Sequence, residues 1–147
     1  MKQTSDLETN EKRMSEFPPT WISASELTTL YGRNALSPVG VVEAMLLRAS
    51  KLQPHLNAFV MIDADGARTA AKASEARWKA GTPLSPLDGV PTTIKDTTPV
   101  KGWPTRYGSH ATDETPATED APVAGRLRAA GMIILGKCPP GAIPGPG

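Results

Sequence analysis

The chain has 147 residues, with 16 Lys and Arg against 15 Asp and Glu and a formal net charge of +1. That balance, with 5% aromatic residues and scattered basic side chains, excludes an electrostatic case for nucleic acid or a membrane surface as the main partner. Hydrophobic residues make up 39%, which suits one modest soluble domain with a single core.

Residues 1–16 are polar and aperiodic and read as a mobile tail. Ser23 to Glu26, "SASE", fits a capping box, in which the serine accepts from the third backbone N–H and the glutamate reaches back. A short helix is expected from there through about Tyr31, stopping at Gly32. Ser37 and Pro38 open a second helix as N-cap and first-turn proline. Val42, Met45, Leu46, Ala49 and Leu52 give it one apolar face, and Pro54 is expected to end it.

Leu56 to Asp63, "LNAFVMID", is rich in strand formers. Ala67, Ala70, Ala71, Ser74 and Trp78 mark a third helix of small residues that ends at Gly81. "GVPTTIK", Gly89 to Lys95, reads as a short strand whose proline suggests an edge or strand-entry position. Residues 97–117 lack periodicity and read as a long loop, a length usually functional or disordered. Asp120 as N-cap and Pro122 open a fourth helix with Val123, Leu127 and Ala130 on one face, ended by Gly131. "MIILGK" is then a short buried strand. Helices alternating with strands argue for α/β architecture.

Cys138 is the one cysteine, so neither an intrachain disulfide nor a thiolate metal cluster is expected. This fits a cytoplasmic location, as does a polar N-terminus without an apolar signal stretch. The apolar runs are too short to span a bilayer. "GMIILGK" lacks the Ser or Thr of a phosphate loop and ends a strand where such a loop would begin a helix. His55 and His110 stand far apart and outside any ligand-spaced motif, and read as ordinary surface or hydrogen-bonded histidines.

Lys95 closes an apolar run and is followed by an acid, Asp96. One reading packs its stem on the sheet and sends the ammonium to water, paired with Asp96. The other makes it a general base, which requires burial so that the amine loses its proton more readily. Paired with a serine hydroxyl, such a lysine can replace histidine in a hydrolase. The residues around it carry turn readings of their own: Asp88, Gly89 and Pro91 for turn geometry, Asp96 as a strand-end hydrogen-bonding residue, Gly108 and Ser109 as a backbone turn. Trp103 either covers the core or lines a substrate mouth, with the core reading favoured.

"PLDGVPTTIKD" (86–96), "KGWPTRYGS" (101–109) and "EDAPVAGRLRAAGMIILGK" (119–137), in this order and spacing, resemble the amidase signature family over about residues 21–137. The resemblance implies a partial α/β fold, a mixed sheet flanked by helices and incomplete at the C-terminus. It implies hydrolysis of small-molecule carboxylic amides through a Ser–cis-Ser–Lys triad, with Lys95 as the catalytic lysine and no metal or organic cofactor. The two serines belong to a Gly/Ser-rich stretch that in this family lies beyond the "LGK" strand.

The chain thus divides into a tail (1–16), the N-terminal part of an amidase domain (17–137) and a Pro/Gly-rich segment, "CPPGAIPGPG" (138–147), that departs from the family pattern. A cut fragment and a frameshift near codon 138 both fit that departure, and the abrupt change of composition favours the frameshift. Alone, the polypeptide is expected to be inactive and marginally stable, with open sheet edges and uncovered apolar faces. A-subunit ancestry in a glutamyl-tRNA amidotransferase, or a non-catalytic remnant that binds another protein, are the alternatives. The sequence gives no oligomeric state.

Overall fold

The computed structural model describes residues 22–109 and 111–141. The expectations for residues 1–16, for His110 and for most of the Pro/Gly-rich segment lie outside the described residues. Helix α1 (Ala24–Gly32) begins with the capping box: Ser23 accepts from the Glu26 N–H while the Glu26 carboxylate accepts from the Ser23 N–H at 3.0 Å. Helix α2 (Pro38–Leu56) is capped by Ser37, whose hydroxyl accepts from Val39 and Gly40. Strand β1 (Met61–Ile62), helix α3 (Ala64–Lys79), strand β2 (Pro91–Lys95), helix α4 (Pro122–Ala129) and strand β3 (Ile133–Cys138) complete the order.

The three strands form one mixed sheet in the order β1-β3-β2, antiparallel between β1 and β3 and parallel between β2 and β3. β3 is central. β2 is an edge within this sheet, as its leading Pro91 led us to expect. One face carries Ile133 and Leu135 against Val42 and Leu46 of α2 and Ala67 and Ala71 of α3. The opposite face carries Ile94 and Ile134 against Ala124 of α4 and against Val100 and Trp103 of the long loop. α1 lays Leu27 and Tyr31 on Val41, and the Tyr31 hydroxyl donates to the Gly89 carbonyl at 3.2 Å. Burial holds that phenol above the ordinary tyrosine range.

Four sequence expectations need correction. Pro54 does not end α2. It sits inside the last turn, and the helix closes at Leu56 before Asn57, which takes a left-handed conformation with φ 47°. A proline removes one N–H, and a helix with so few residues left loses little by it. Second, the strand read over 56–63 shrinks to Met61–Ile62. The Gln53 side chain takes the place of a partner strand at Phe59, accepting from its N–H at 3.0 Å and donating to its carbonyl at 2.7 Å. Third, the N-cap of α4 is Ala121, and Asp120 instead accepts from the Lys101 N–H at 2.7 Å and pairs with Arg128. Fourth, α4 buries Ala124, while Val123 is 49% exposed.

The pairing of β2 with β3 is irregular at one point. Thr92 pairs with Ile134, yet Ile94 pairs with Lys137, so β3 carries one residue more than β2 between these pairs. Such a bulge re-aims the side chains beyond it. Paired strand neighbours share a face. Ile62 opposes Gly136, and Met61 opposes Lys137. Ile62 belongs to the Val42 cluster and Met61 to the Ile94 cluster. Leu135 and Gly136 therefore fall successively on the α2–α3 face, and Lys137 is turned to the Ile94–Trp103 face.

Candidate active site

Lys95 stands at the carboxyl end of β2, directly beside Cys138 at the end of β3. Carboxyl ends of parallel strands are where ligands bind in open α/β sheets. Its side chain is exposed, and its carbonyl accepts from Thr98 at 2.9 Å. Asp96 does not pair with it. The acid turns inward and is fully buried.

The lysine that burial selects is Lys137. Both Lys137 and Asp96 are 0% exposed, and Lys137 Nζ lies 3.4 Å from Asp96 Oδ1. The same ammonium donates to the Pro104 carbonyl at 2.7 Å and to Thr105 Oγ1 at 2.9 Å. Burial holds the Lys137 ammonium below the ordinary lysine range, with the Asp96 carboxylate acting in the opposite direction. The charge tolerates a dry position because its three N–H donors have three oxygen partners. Asp96 Oδ1 also accepts from the Arg106 N–H at 3.3 Å, while Oδ2 is buried without a hydrogen-bond partner.

The backbone of Asp96 is fixed as well. Its N–H donates to the Cys138 carbonyl at 2.8 Å, and its carbonyl accepts from Tyr107 at 3.1 Å. Tyr107 holds φ 52°, a left-handed value that is uncommon for a tyrosine. The loop over 97–117 is thus no free segment. The Gly102 N–H donates to the Ala117 carbonyl and the Ala117 N–H to the Trp103 carbonyl, Arg106 pairs with Glu114, and Thr112 donates to the Arg106 carbonyl. Gly108 has φ 71° and Ser109 donates from its N–H to Arg106, the turn expected there.

Trp103 is 8% exposed and joins the core, while its rim also lines a cleft of about 600 Å³ with Lys101, Arg128 and Met132. That cleft lies by the start of β3 and does not include Lys95. Asp88 does more than turn the chain. It is fully buried and accepts from Arg77 through both oxygens, each at 2.7 Å, and from the Leu84 N–H at 2.8 Å. No group of three or more His, Cys, Asp or Glu is placed to hold a metal among the described residues. No described helix is long and apolar enough to cross a membrane.

Sequence reasoning thus named Lys95 and missed Lys137, Thr105 and Arg106. One signal was available: a lysine that closes the otherwise apolar "MIILG" run, preceded by a glycine that permits a bulge.

A family model described as Amidase matches residues 40–139. An acylamidase from Rhodococcus erythropolis is 40% identical over 124 residues, which cover 84% of this chain and 26% of that protein. The A subunit of the glutamyl-tRNA(Gln) amidotransferase from Salinispora arenicola is 42% identical over 118 residues, covering 80% of this chain and 24% of its own length. The crystal structure of the native peptide amidase from Stenotrophomonas maltophilia superposes with a TM-score of 0.76 at 27% identity, over 82% of this chain and 25% of that one. The chain therefore spans about a quarter of the length of the relatives it matches. By the extent of the family match and the shared fold, this chain belongs to the Amidase family.

Proposed function

We propose that this chain carries the lysine-bearing part of an amide hydrolase, with Lys95 as the general base. The observation that supports the reading most is the placement of Lys95 at the carboxyl end of β2, exposed on one side and followed by an anchored Asp96 on the other. An amine there is open to a hydroxyl brought by another segment, while its backbone is held in place.

The reaction follows the Ser–cis-Ser–Lys scheme. The neutral Lys95 amine takes a proton from a bridging serine, which takes one from the nucleophilic serine. The serine oxygen adds to the amide carbonyl, the C–N bond breaks, and the proton passes to the departing ammonia or amine. Water then adds to the acyl-enzyme ester, releasing the acid and restoring the serine. Backbone N–H groups would hold the oxyanion, typically a contribution of about two to three orders of magnitude per donor. The scheme draws on no cofactor, and the substrate class is a small carboxylic amide. A cytoplasmic location belongs to the same reading.

Lys95 is exposed here, whereas a lysine base needs desolvation. The reading assigns that desolvation to the part of the enzyme that this chain, about a quarter of its relatives' length, does not span. On its own, the 147-residue chain is expected to hydrolyse no amide. Its similarity to an acylamidase and to an amidotransferase A subunit is about equal, so a chain that feeds ammonia to a partner protein is the second reading.

The test is a chimera in which residues 22–137 replace the matching segment of the Rhodococcus acylamidase. The chimera should hydrolyse acyl amides, and Lys95→Ala should lower kcat by at least about a thousandfold, since the members of a triad act as a unit. Turnover that survives Lys95→Ala would remove Lys95 from the mechanism. A chimera that folds but is inactive with Lys95 intact would favour the non-catalytic remnant.

A further inference from the structure

We infer that Lys137 is a positioning residue for Lys95, acting through Asp96 and the Pro104–Tyr107 loop. The inference rests on the reading of Lys95 as the base, but its core claim is geometric and can be tested without turnover.

Strict alternation along β3 would send Lys137 to the same side as Ile133 and Leu135, into the cluster of Val42, Leu46 and Ala71. An ammonium there would meet no acceptor among those side chains. The extra residue at Leu135–Gly136 turns Lys137 to the other face, where Pro104, Thr105 and Asp96 meet it. Gly136 lets β1 lie close against the bulged strand, because a Cβ there would stand 2.1 Å from the Met61 carbonyl oxygen. Strand register, glycine and buried charge thus converge on one contact set.

The ammonium acts on Lys95 through the residue that follows it. Asp96 is held through its N–H by Cys138, through its carbonyl by Tyr107, and through Oδ1 by Lys137 and Arg106. Cys138 and Lys137 belong to the end of β3, and Arg106 and Tyr107 to the loop that the ammonium holds at Pro104 and Thr105. Without the ammonium, the buried carboxylate loses its charged partner, and Pro104 O and Thr105 Oγ1 lose their donor. The Pro104–Tyr107 loop then releases the Asp96 carbonyl, and the direction in which the Lys95 side chain leaves the strand is no longer fixed. Geometry of this kind is what a catalytic group takes from its supporting residues.

The experiment uses the 147-residue chain. Lys137→Met keeps the stem and removes the ammonium, while Thr105→Val keeps both charges and removes one acceptor. Residue-resolved hydrogen exchange should show the Asp96 and Tyr107 amides exchanging at least about tenfold faster in Lys137→Met, with the α2 and α3 amides of Val42 and Ala71 unchanged. The Lys95 Cε resonance should shift, and those of Lys51 and Lys72 should hold. Thr105→Val should move the same signals by a smaller amount. Equal acceleration in α2 and α3 would leave Lys137 a purely structural residue and overturn the inference, and so would unchanged Asp96 and Tyr107 amides. If Lys137→Met does not fold, Thr105→Val decides by the same criteria. In the acylamidase chimera, Lys137→Met should lower kcat about tenfold or more with KM held. Failure of the Lys95→Ala test alone would remove the base and leave the exchange result standing, so the two claims fail separately.

Discussion

Asp96 Oδ1 and Lys137 Nζ lie 3.4 Å apart with neither side chain reaching solvent, although the acid follows the lysine that sequence reasoning singled out. The pair joins the carboxyl ends of two parallel strands and ties both to a loop that crosses above them. Two ions taken out of water cost several kcal/mol each, repaid only by close geometry and by hydrogen bonds to what remains. Lys137 meets that condition with three oxygen partners, and Asp96 meets it at one oxygen.

Removing one partner should therefore cost much more than removing both. Asp96→Asn leaves the Lys137 ammonium buried without a counter-charge and should lower the urea-unfolding free energy by about 3 kcal/mol or more. The double change Asp96→Asn with Lys137→Met removes both charges, and its cost should fall well below the sum of the two single changes. A single-variant loss under about 1 kcal/mol, or strict additivity, would show that the pair is not coupled.

Acid should weaken the fold through Asp88. Burial works to raise its carboxyl, but the Arg77 guanidinium, the Leu84 N–H and further hydrogen bonding outweigh it, and the group sits below its ordinary 3.8. The unfolded chain then binds the proton more readily than the folded one, so stability is present above about pH 3.8 and is lost as pH falls through the lower folded value. Asp88→Asn removes that linkage. Unfolding free energies measured from about pH 6 to about pH 2 should fall more steeply in the parent than in Asp88→Asn. Parallel profiles would mean that Asp88 titrates alike in both states.

Much of this architecture was legible because its signals are local. Ser23 and Glu26 announce a helix start within a single turn, and Ser37-Pro38 does so in adjacent residues. "GVPTTIK" and "MIILGK" declare strands through their apolar runs, and the amidase resemblance placed Lys95 among them. What stayed hidden depends on partners distant in sequence. Asp120 has the side chain of an N-cap, yet the Lys101 N–H from across the loop claims its carboxylate. Phe59 is a good strand former, yet Gln53 satisfies its backbone with the side-chain amide, leaving no need of a neighbouring strand at that residue. Lys137 was hidden for a third reason. Which face it serves depends on the bulge, and a period of two read along "MIILGK" gives the wrong one.

That dependence yields the most direct structural test, at Gly136. A Cβ added there would lie 2.1 Å from the Met61 carbonyl oxygen and 2.9 Å from the Ile62 Cα, both backbone atoms of β1. No side chain can swing aside to make room, so in Gly136→Ala either β1 moves off β3 or β3 straightens. β1 is held by the Met61 and Ile62 pairings, the Val60 N–H on Lys137 at 2.8 Å and the Asp63 N–H on Leu135 at 2.9 Å. Straightening β3 would remove the bulge and aim Lys137 at the apolar α2–α3 face, the more expensive outcome for a charge. Displacement of β1 should therefore win, at about 1–3 kcal/mol, the usual range for overpacking. The Val60 and Asp63 amides should lose most of their exchange protection, while the Asp96 and Tyr107 amides keep theirs. Protection retained at Val60 and Asp63, with an unchanged unfolding midpoint, would show that the close approach of β1 does not require glycine.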